Sequence, residues 1–413
     1  MPPHRASIRP LARALAFTAA CALLGAGTPK AVAAPPGPVS PPGPASPAGT
    51  GSPAGVGPVG GPRLGSRGVV APAGAPALPG GVNATGWLLA DASTGAVLAA
   101  RNPHGRYLPA STLKTLTALT LLPRLTDRNR VVTATDQDTT IDGTRVGLVT
   151  GGKYTVDMLF HCMLMMSGND CATALAETAG GVPHTLELMN DEARRLHADD
   201  THASTPSGLD GPGQGTSAYD LALILRQDLN LPDFRRYNTT RQGTVPAQPP
   251  KYKSYKFGND NALLFDYPGA VAAKNGYTDA ARHTYVAAAR HGQRTLIVTL
   301  MHGERSPVDM WEQAARLLDW GFALPAAVQP VGELVTPGDG NAAHATSVRS
   351  PRPAAVSPVA AGGTGTGRWP PLLGAAVVLA GLAGWVGWRR RRRARARLAA
   401  EAGPHFGPDI DRR

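Results

Sequence analysis

The sequence predicts an α/β (α+β) fold in which one antiparallel sheet is flanked by helices and a helical subdomain is inserted between its strands. Three observations lead there. Two β-rich runs, residues 86–93 and 96–102, are joined by Thr94-Gly95, a hairpin signal. Three more runs, residues 271–277, 284–290 and 295–301, gather much later in the chain, the last two joined by His291-Gly292. The long stretch between the two groups has helical apolar spacing.

The remaining elements follow in chain order. Residues 1–34 begin with Arg5, Arg9 and Arg13, continue with an apolar stretch over 14–24, and reach the small-residue pattern Ala31-Val32-Ala33. This reads as a secretory signal peptide cut near Ala33 or Ala34, since the apolar run is short for a membrane span. Residues 35–83 are dominated by Pro, Gly, Ala, Ser and Val without helical or strand period, and are expected to be a disordered linker. Residues 84–334 hold the patterned elements. Within them, Leu113, Leu116, Leu119 and Leu122 follow Leu108-Pro109-Ala110, so a helix should open near Ser111 with its apolar side buried. Another helix should end near Met165 and a further one resume at Cys171, and a closing helix is expected over residues 308–320.

Residues 335–368 repeat the linker composition more loosely. From Pro370 to Trp388 no charge interrupts the chain; Trp369 precedes this stretch and five arginines, residues 389–393, follow it at once. About 19 residues at ~1.5 Å each give ~28 Å, enough to cross a bilayer core. Residues 369–388 are therefore expected to be a transmembrane helix with tryptophans at both interfaces, and residues 389–413 a basic cytoplasmic tail.

The net charge of +12 suggests nucleic acid until it is located. Arg5, Arg9, Arg13 and Lys30 stand in residues 1–34 without an acid, and nine arginines oppose Glu401, Asp409 and Asp411 in the tail, leaving about +2 for everything between. A duplex-binding surface needs a basic face on the folded domain. No nucleic-acid partner is expected.

Only seven lysines occur in the chain, and two of them mark chemistry: Ser111-Thr112-Leu113-Lys114 and Lys274-Asn275-Gly276, with Ser167-Gly168-Asn169 between. A serine hydroxyl attacks at neutral pH only if a nearby base takes its proton. An offset of three on a helix puts Ser111 and Lys114 on one face. Burial and a second cation such as Lys274 would both lower the Lys114 pKa, giving the site its own base. The helix start also aims backbone N–H groups at Ser111, where an oxyanion would develop.

In this order and spacing, the three motifs resemble the signature of penicillin-recognising serine enzymes. Trp87-Leu-Leu-Ala-Asp-Ala-Ser-Thr-Gly95, Met166-Ser-Gly-Asn-Asp170, Pro206-Ser-Gly-Leu209, Ser217-Ala-Tyr-Asp220 and Asp266-Tyr-Pro-Gly269 narrow this to the D-alanyl-D-alanine carboxypeptidases among the low-molecular-weight penicillin-binding proteins, over roughly residues 84–325. The resemblance implies a serine β-lactamase/transpeptidase-like fold and makes residues 84–334 a catalytic, penicillin-binding domain. It implies Ser111 as nucleophile, Lys114 as its base, Ser167 as a proton shuttle toward the leaving group, and Asn169 as a holder of the substrate amide and of the lysine. Lys274, Asn275, Gly276 and Tyr277 are the implied substrate-binding run: Lys274 charges the pocket for a terminal carboxylate, and the Tyr277 and Ser111 backbone N–H groups form the oxyanion pair. Arg305 is a candidate second cation. One departure stands out. The family usually has Thr or Ser where this chain has Asn275, which can donate to a carboxylate but cannot relay a proton.

The implied partners are a peptidoglycan stem peptide ending in D-Ala-D-Ala, β-lactam antibiotics as covalent inhibitors, and a membrane through the C-terminal helix. A peptidoglycan endopeptidase shares the named residues, and the atypical Asn275 leaves a non-catalytic wall-binding relative open. A β-lactamase would need a water-activating carboxylate, and no glutamate lies between Glu192 and Glu304. Cys162 and Cys171 flank the Ser-Gly-Asn motif, and either a disulfide or two buried thiols fits their spacing. No cofactor or metal is expected: His-Glu-x-x-His and Cys-x-x-Cys are absent, and the eleven histidines do not cluster at ligand spacings.

Overall fold

In a computed structural model of the chain, residues 57–325 and 327–337 are described. The expected signal peptide, the first part of the first linker, most of the second linker, the expected membrane span and the basic tail lie outside them. Among the described residues, no helix is long and apolar enough to cross a membrane.

The chain begins with a 3-10 turn (Pro62–Gly65) and then forms β1 (Val69–Val70), β2 (Gly86–Asp91) and β3 (Ala96–Arg101). A second 3-10 turn (Ala110–Leu113) runs into α1 (Lys114–Leu121). There follow β4 (Val131–Thr133), α2 (Asp136–Thr139), β5 (Lys153–Thr155), α3 (Val156–Met165), α4 (Asn169–Thr178), α5 (Val182–Arg195), α6 (Ala218–Asp228) and α7 (Pro232–Thr239). The ribbon β6 (Gln242–Val245) and β7 (Tyr255–Gly258) and a short α8 (Leu263–Asp266) lead to β8 (Ala270–Thr278), β9 (Arg282–His291) and β10 (Arg294–Gly303), and then to α9 (Met310–Ala323) and β11 (Gly332–Glu333).

The strands expected from the sequence do form one sheet. Its order is β1-β3-β2-β10-β9-β8, all antiparallel, with β11 also pairing with β3. The central strands are buried on both faces, as side-chain alternation shows. Leu88 and Ala90 of β2 point into one core with α1, α3 and α6, whereas Trp87 and Leu89 point into a second core under α9. There they meet Met310, Ala314, Leu317 and Leu318; fully burying each leucine contributes roughly 1.5–3 kcal/mol. Strand β8 is left as an edge, and the turn carrying Ser111 packs against it. That junction places the site.

The linker expected over residues 35–83 is corrected from residue 58 onward. Leu64 is fully buried, β1 pairs with β3, and the carbonyls of Pro76 and Gly80 accept hydrogen bonds from Trp320 and Arg316. A segment of this composition cannot build a core, but it can finish one by adding a leucine and a short strand to an existing surface. The folded region also passes residue 334, since Val335 is buried.

Candidate active site

Ser111 lies in the 3-10 turn, one turn before Lys114, which is the first residue of α1. Ala110 adopts φ +47°, a left-handed conformation that bends the chain just ahead of the serine. Every residue of α1 is buried, so the Lys114 side chain is fully enclosed. Its Nζ lies 2.9 Å from Ser111 Oγ, 2.7 Å from Asn169 Oδ1 and 2.6 Å from the Ser207 carbonyl oxygen.

These partners fit either protonation state: three acceptors suit an ammonium, and the Ser111 hydroxyl can instead donate to a neutral amine. Burial drives the Lys114 pKa well below the ordinary lysine range, and the charge of Lys274 adds to this against the opposing pull of Asp170 and Asp260. A neutral amine has two N–H donors and one lone pair. Asn169 Oδ1 and the Ser207 carbonyl can only accept, so they take the two donors. The lone pair is left for the Ser111 hydroxyl, the one partner able to donate. Asn169 is itself fixed by Asp142, whose carbonyl accepts from Nδ2 at 2.7 Å and so turns Oδ1 toward the lysine.

Ser167 and Asn169 stand at the junction of α3 and α4, as their motif suggests. Ser167 has φ +62°, and Asn169 opens α4. The junction is held by Asp170, a buried carboxylate that accepts backbone N–H groups from Val146, Gly147, Leu148 and Cys171 at 2.8–3.1 Å. Those bonds tie residues 146–148 under the site and place Thr144 on its wall. Cys162 and Cys171, for which spacing allowed two states, are buried free thiols; burial and the neighbouring Cys162 push the Cys171 pKa well up.

Two cavities meet at Ser111. One, of about 510 Å³, is lined by Ser167, Asp260, Asn275, Tyr277, Arg305 and Trp311 among others; the second, of about 380 Å³, by Thr144, Asn169, Gly208, Leu209, Tyr277 and Thr278. Lys274 is enclosed rather than on the wall. Its Nζ donates to the Asn275 carbonyl (2.8 Å) and to Asn275 Oδ1 (2.9 Å), and burial lowers its pKa against the pull of Asp260. Asn275 Nδ2 donates to Asp260 Oδ2 at 3.3 Å, so its amide links Lys274 to Asp260. Gly276 keeps β8 close to Ser111: a Cβ there would fall 2.8 Å from Ser111 N. Arg305 lines the larger cavity but is paired with Asp309 at 2.8 Å.

Several residues had no role assigned from sequence. Ser207 and Gly208 fall within Pro206-Ser-Gly-Leu209, yet nothing in the spacing says that a carbonyl there holds Lys114. Asp142, Thr144 and Asp260 carry no sequence signal at all. Thr284 is similar: its hydroxyl donates to the Pro109 carbonyl at 2.7 Å and pins the turn to β9.

Comparison with known proteins identifies the family. The family model described as D-alanyl-D-alanine carboxypeptidase matches residues 73–305. The chain is 42% identical over 260 residues to the D-alanyl-D-alanine carboxypeptidase DacB2 of Mycobacterium tuberculosis, covering 62% of this chain and 87% of that one. It is 34% identical over 265 residues to DacD of Salmonella typhimurium, covering 61% and 66%. Among solved structures, a D-alanyl-D-alanine carboxypeptidase from Mycobacterium tuberculosis superimposes with a TM-score of 0.61 at 41% identity, over 64% of this chain and 100% of that one. A Streptomyces DD-transpeptidase gives 0.57 at 25% identity, over 60% and 100%. With the family matched over more than half its length and the fold shared with these enzymes, the chain belongs to the D-alanyl-D-alanine carboxypeptidases, serine hydrolases among the low-molecular-weight penicillin-binding proteins.

Proposed function

We propose that this enzyme removes the terminal D-alanine from peptidoglycan stem peptides through an acyl-enzyme on Ser111. The observation that carries the proposal is the enclosed Lys114 amine 2.9 Å from Ser111 Oγ, in surroundings where burial and Lys274 lower its pKa. Lys114 takes the Ser111 proton as Oγ attacks the penultimate carbonyl. The oxyanion forms against the backbone N–H groups of Ser111 and Tyr277. The proton passes by way of Ser167 to the amine of the departing D-alanine, and water then frees the serine. Lys274 holds the substrate carboxylate through its field and through the Asn275 amide. β-Lactams would acylate the same serine. In the test, purified enzyme should release D-alanine from a pentapeptide ending in D-Ala-D-Ala, and Ser111→Ala should release none; equal release by both would end the proposal.

One observation favours a second reading, a D,D-endopeptidase. Because Lys274 is enclosed while Asn275 lines the cavity, the demand of this pair for a free terminal carboxylate is weaker than a lysine on the wall would impose. Amidating the substrate's terminal carboxylate separates the two readings: a carboxypeptidase loses one or two charge-assisted hydrogen bonds, roughly 1.5–3 kcal/mol each, and an endopeptidase does not.

The same proposal places the catalytic domain outside the membrane, anchored through residues 369–388 with the arginine tail inside. The uncharged stretch and the five arginines after it support this reading. Protease added to wall-stripped cells should destroy the catalytic domain and spare an epitope placed after Ala400. Protection of the whole chain would rule it out.

A further inference from the structure

Behind the catalytic turn, folding brings together three residues that the sequence keeps far apart. His104 lies in the loop between β3 and the Ser111 turn, Asp200 in the loop that leads from α5 to Ser207, and Asp220 in the first turn of α6. One ligand atom from each falls within 4.8 Å of the others. We propose that His104, Asp200 and Asp220 bind one divalent transition-metal ion of the zinc type, which clamps the two arms of the active site to α6.

Two features of the cluster ask for a cation. His104 Nε2 lies 3.0 Å from the Val59 carbonyl, which can only accept, so that nitrogen keeps its proton. In a neutral ring Nδ1 is then a bare lone pair, and it faces Asp200 Oδ2, another acceptor, at 2.9 Å. The second feature is Asp220, which is 1% exposed. Its Oδ2 accepts from Thr201 Oγ1 at 2.7 Å, but its Oδ1 is buried with no hydrogen-bond partner. A proton on Nδ1 would relieve only the first conflict. A divalent ion would satisfy both, taking Nδ1 and two carboxylate oxygens and keeping a water as fourth ligand. An imidazole that gives its other N–H to a backbone carbonyl is also the usual outer-shell arrangement of a metal-bound histidine.

The surrounding backbone fits a clamp. Tyr107 and Thr216 exchange both backbone hydrogen bonds at 2.8 Å, and His202 and Gly215 do so at 2.9 and 3.1 Å, so the same arms are already stitched beside the cluster.

The test uses the full chain, stripped with a chelator and titrated with Zn²⁺ by calorimetry, with thermal melting alongside. One ion should bind per chain and raise Tm. Co²⁺ in place of Zn²⁺ should give visible d–d bands without a thiolate charge-transfer band, a readout on wild type that needs no variant. His104→Ala and Asp220→Asn should each weaken binding at least tenfold, whereas His184→Ala, in an exposed pair with Glu187, should leave it unchanged. The proposal is overturned if the stripped wild type shows no saturable binding. It is equally overturned by a cobalt–thiolate band, which would assign the ion to cysteine ligands, or by binding that survives His104→Ala.

Discussion

Gly208 packs against the carbonyl of Ala110 so closely that a methyl group at position 208 would overlap that oxygen. Both residues have positive φ, +86° and +47°, so the turn behind the nucleophile and the segment holding Lys114 through Ser207 are built around one contact. Gly208→Ala should move Ser111 relative to Lys114 while leaving the rest of the domain folded. Left-handed strain at a non-glycine residue costs on the order of 1–3 kcal/mol. A displacement of about 1 Å at a catalytic group costs on the order of 10²-fold in rate. Thermal melting should thus show a modest loss, and kcat for D-alanine release a far larger one; wild-type kcat would show that the contact does not set the geometry.

Asp170 presents a different dependence. Its two oxygens take four backbone N–H groups in a buried site, and an asparagine in its place would turn an N–H₂ toward some of them. Each buried donor left without an acceptor costs roughly 1–3 kcal/mol. Asp170→Asn should therefore lower Tm clearly and also reduce kcat/KM, because residues 142–148 both carry Thr144 and orient Asn169. A stability loss with unchanged kcat/KM would confine Asp170 to a purely structural role.

The pH profile follows from the two buried lysines. In the proposed mechanism Lys114 works as a base only when neutral, so kcat/KM should fall as pH drops through its lowered pKa. Lys274 works only when charged, so activity should fall again as pH rises through its own lowered pKa. The profile should be a bell with both limbs below the ordinary lysine range. Lys114→Arg cannot deprotonate at these pH values and should be inactive throughout. Lys274→Arg should push the alkaline limb upward, and an unmoved limb would assign it to another group.

At position 275, the amide accepts from Lys274 and donates toward Asp260. If donation is its whole contribution, Asn275→Thr should retain activity and Asn275→Ala should lose it mainly in kcat/KM. A loss of equal size in both variants would mean that the amide's full geometry is required.

Much of this site was legible because its chemistry depends on residue types in short runs. The three-residue offset between Ser111 and Lys114, the Ser-Gly-Asn junction and the glycine after Asn275 are local facts, and local facts survive in sequence. The five strands were readable too, since β-rich runs with turn signals at their ends leave few other options. The Ser207 carbonyl and the Asp142 carbonyl were hidden because a backbone acceptor carries no side-chain signature. Asp260 was hidden because an isolated acid before α8 looks like any surface residue. Residues 58–83 misled for the converse reason: low-complexity composition excludes an independent core but does not exclude docking on one. The His104 cluster combines three segments whose meeting depends on tertiary closure alone.

The most direct measurement is the intact mass of the purified protein after exposure to a penicillin. Wild type should gain the mass of one penicillin, with the adduct mapping to Ser111 after digestion, and Ser111→Ala should gain none. Lys114→Ala should remain folded but acylate slower by orders of magnitude, since the serine would have lost its base. An adduct of equal extent on Ser111→Ala, or no adduct on folded wild type, would contradict the assignment of Ser111 as the nucleophile.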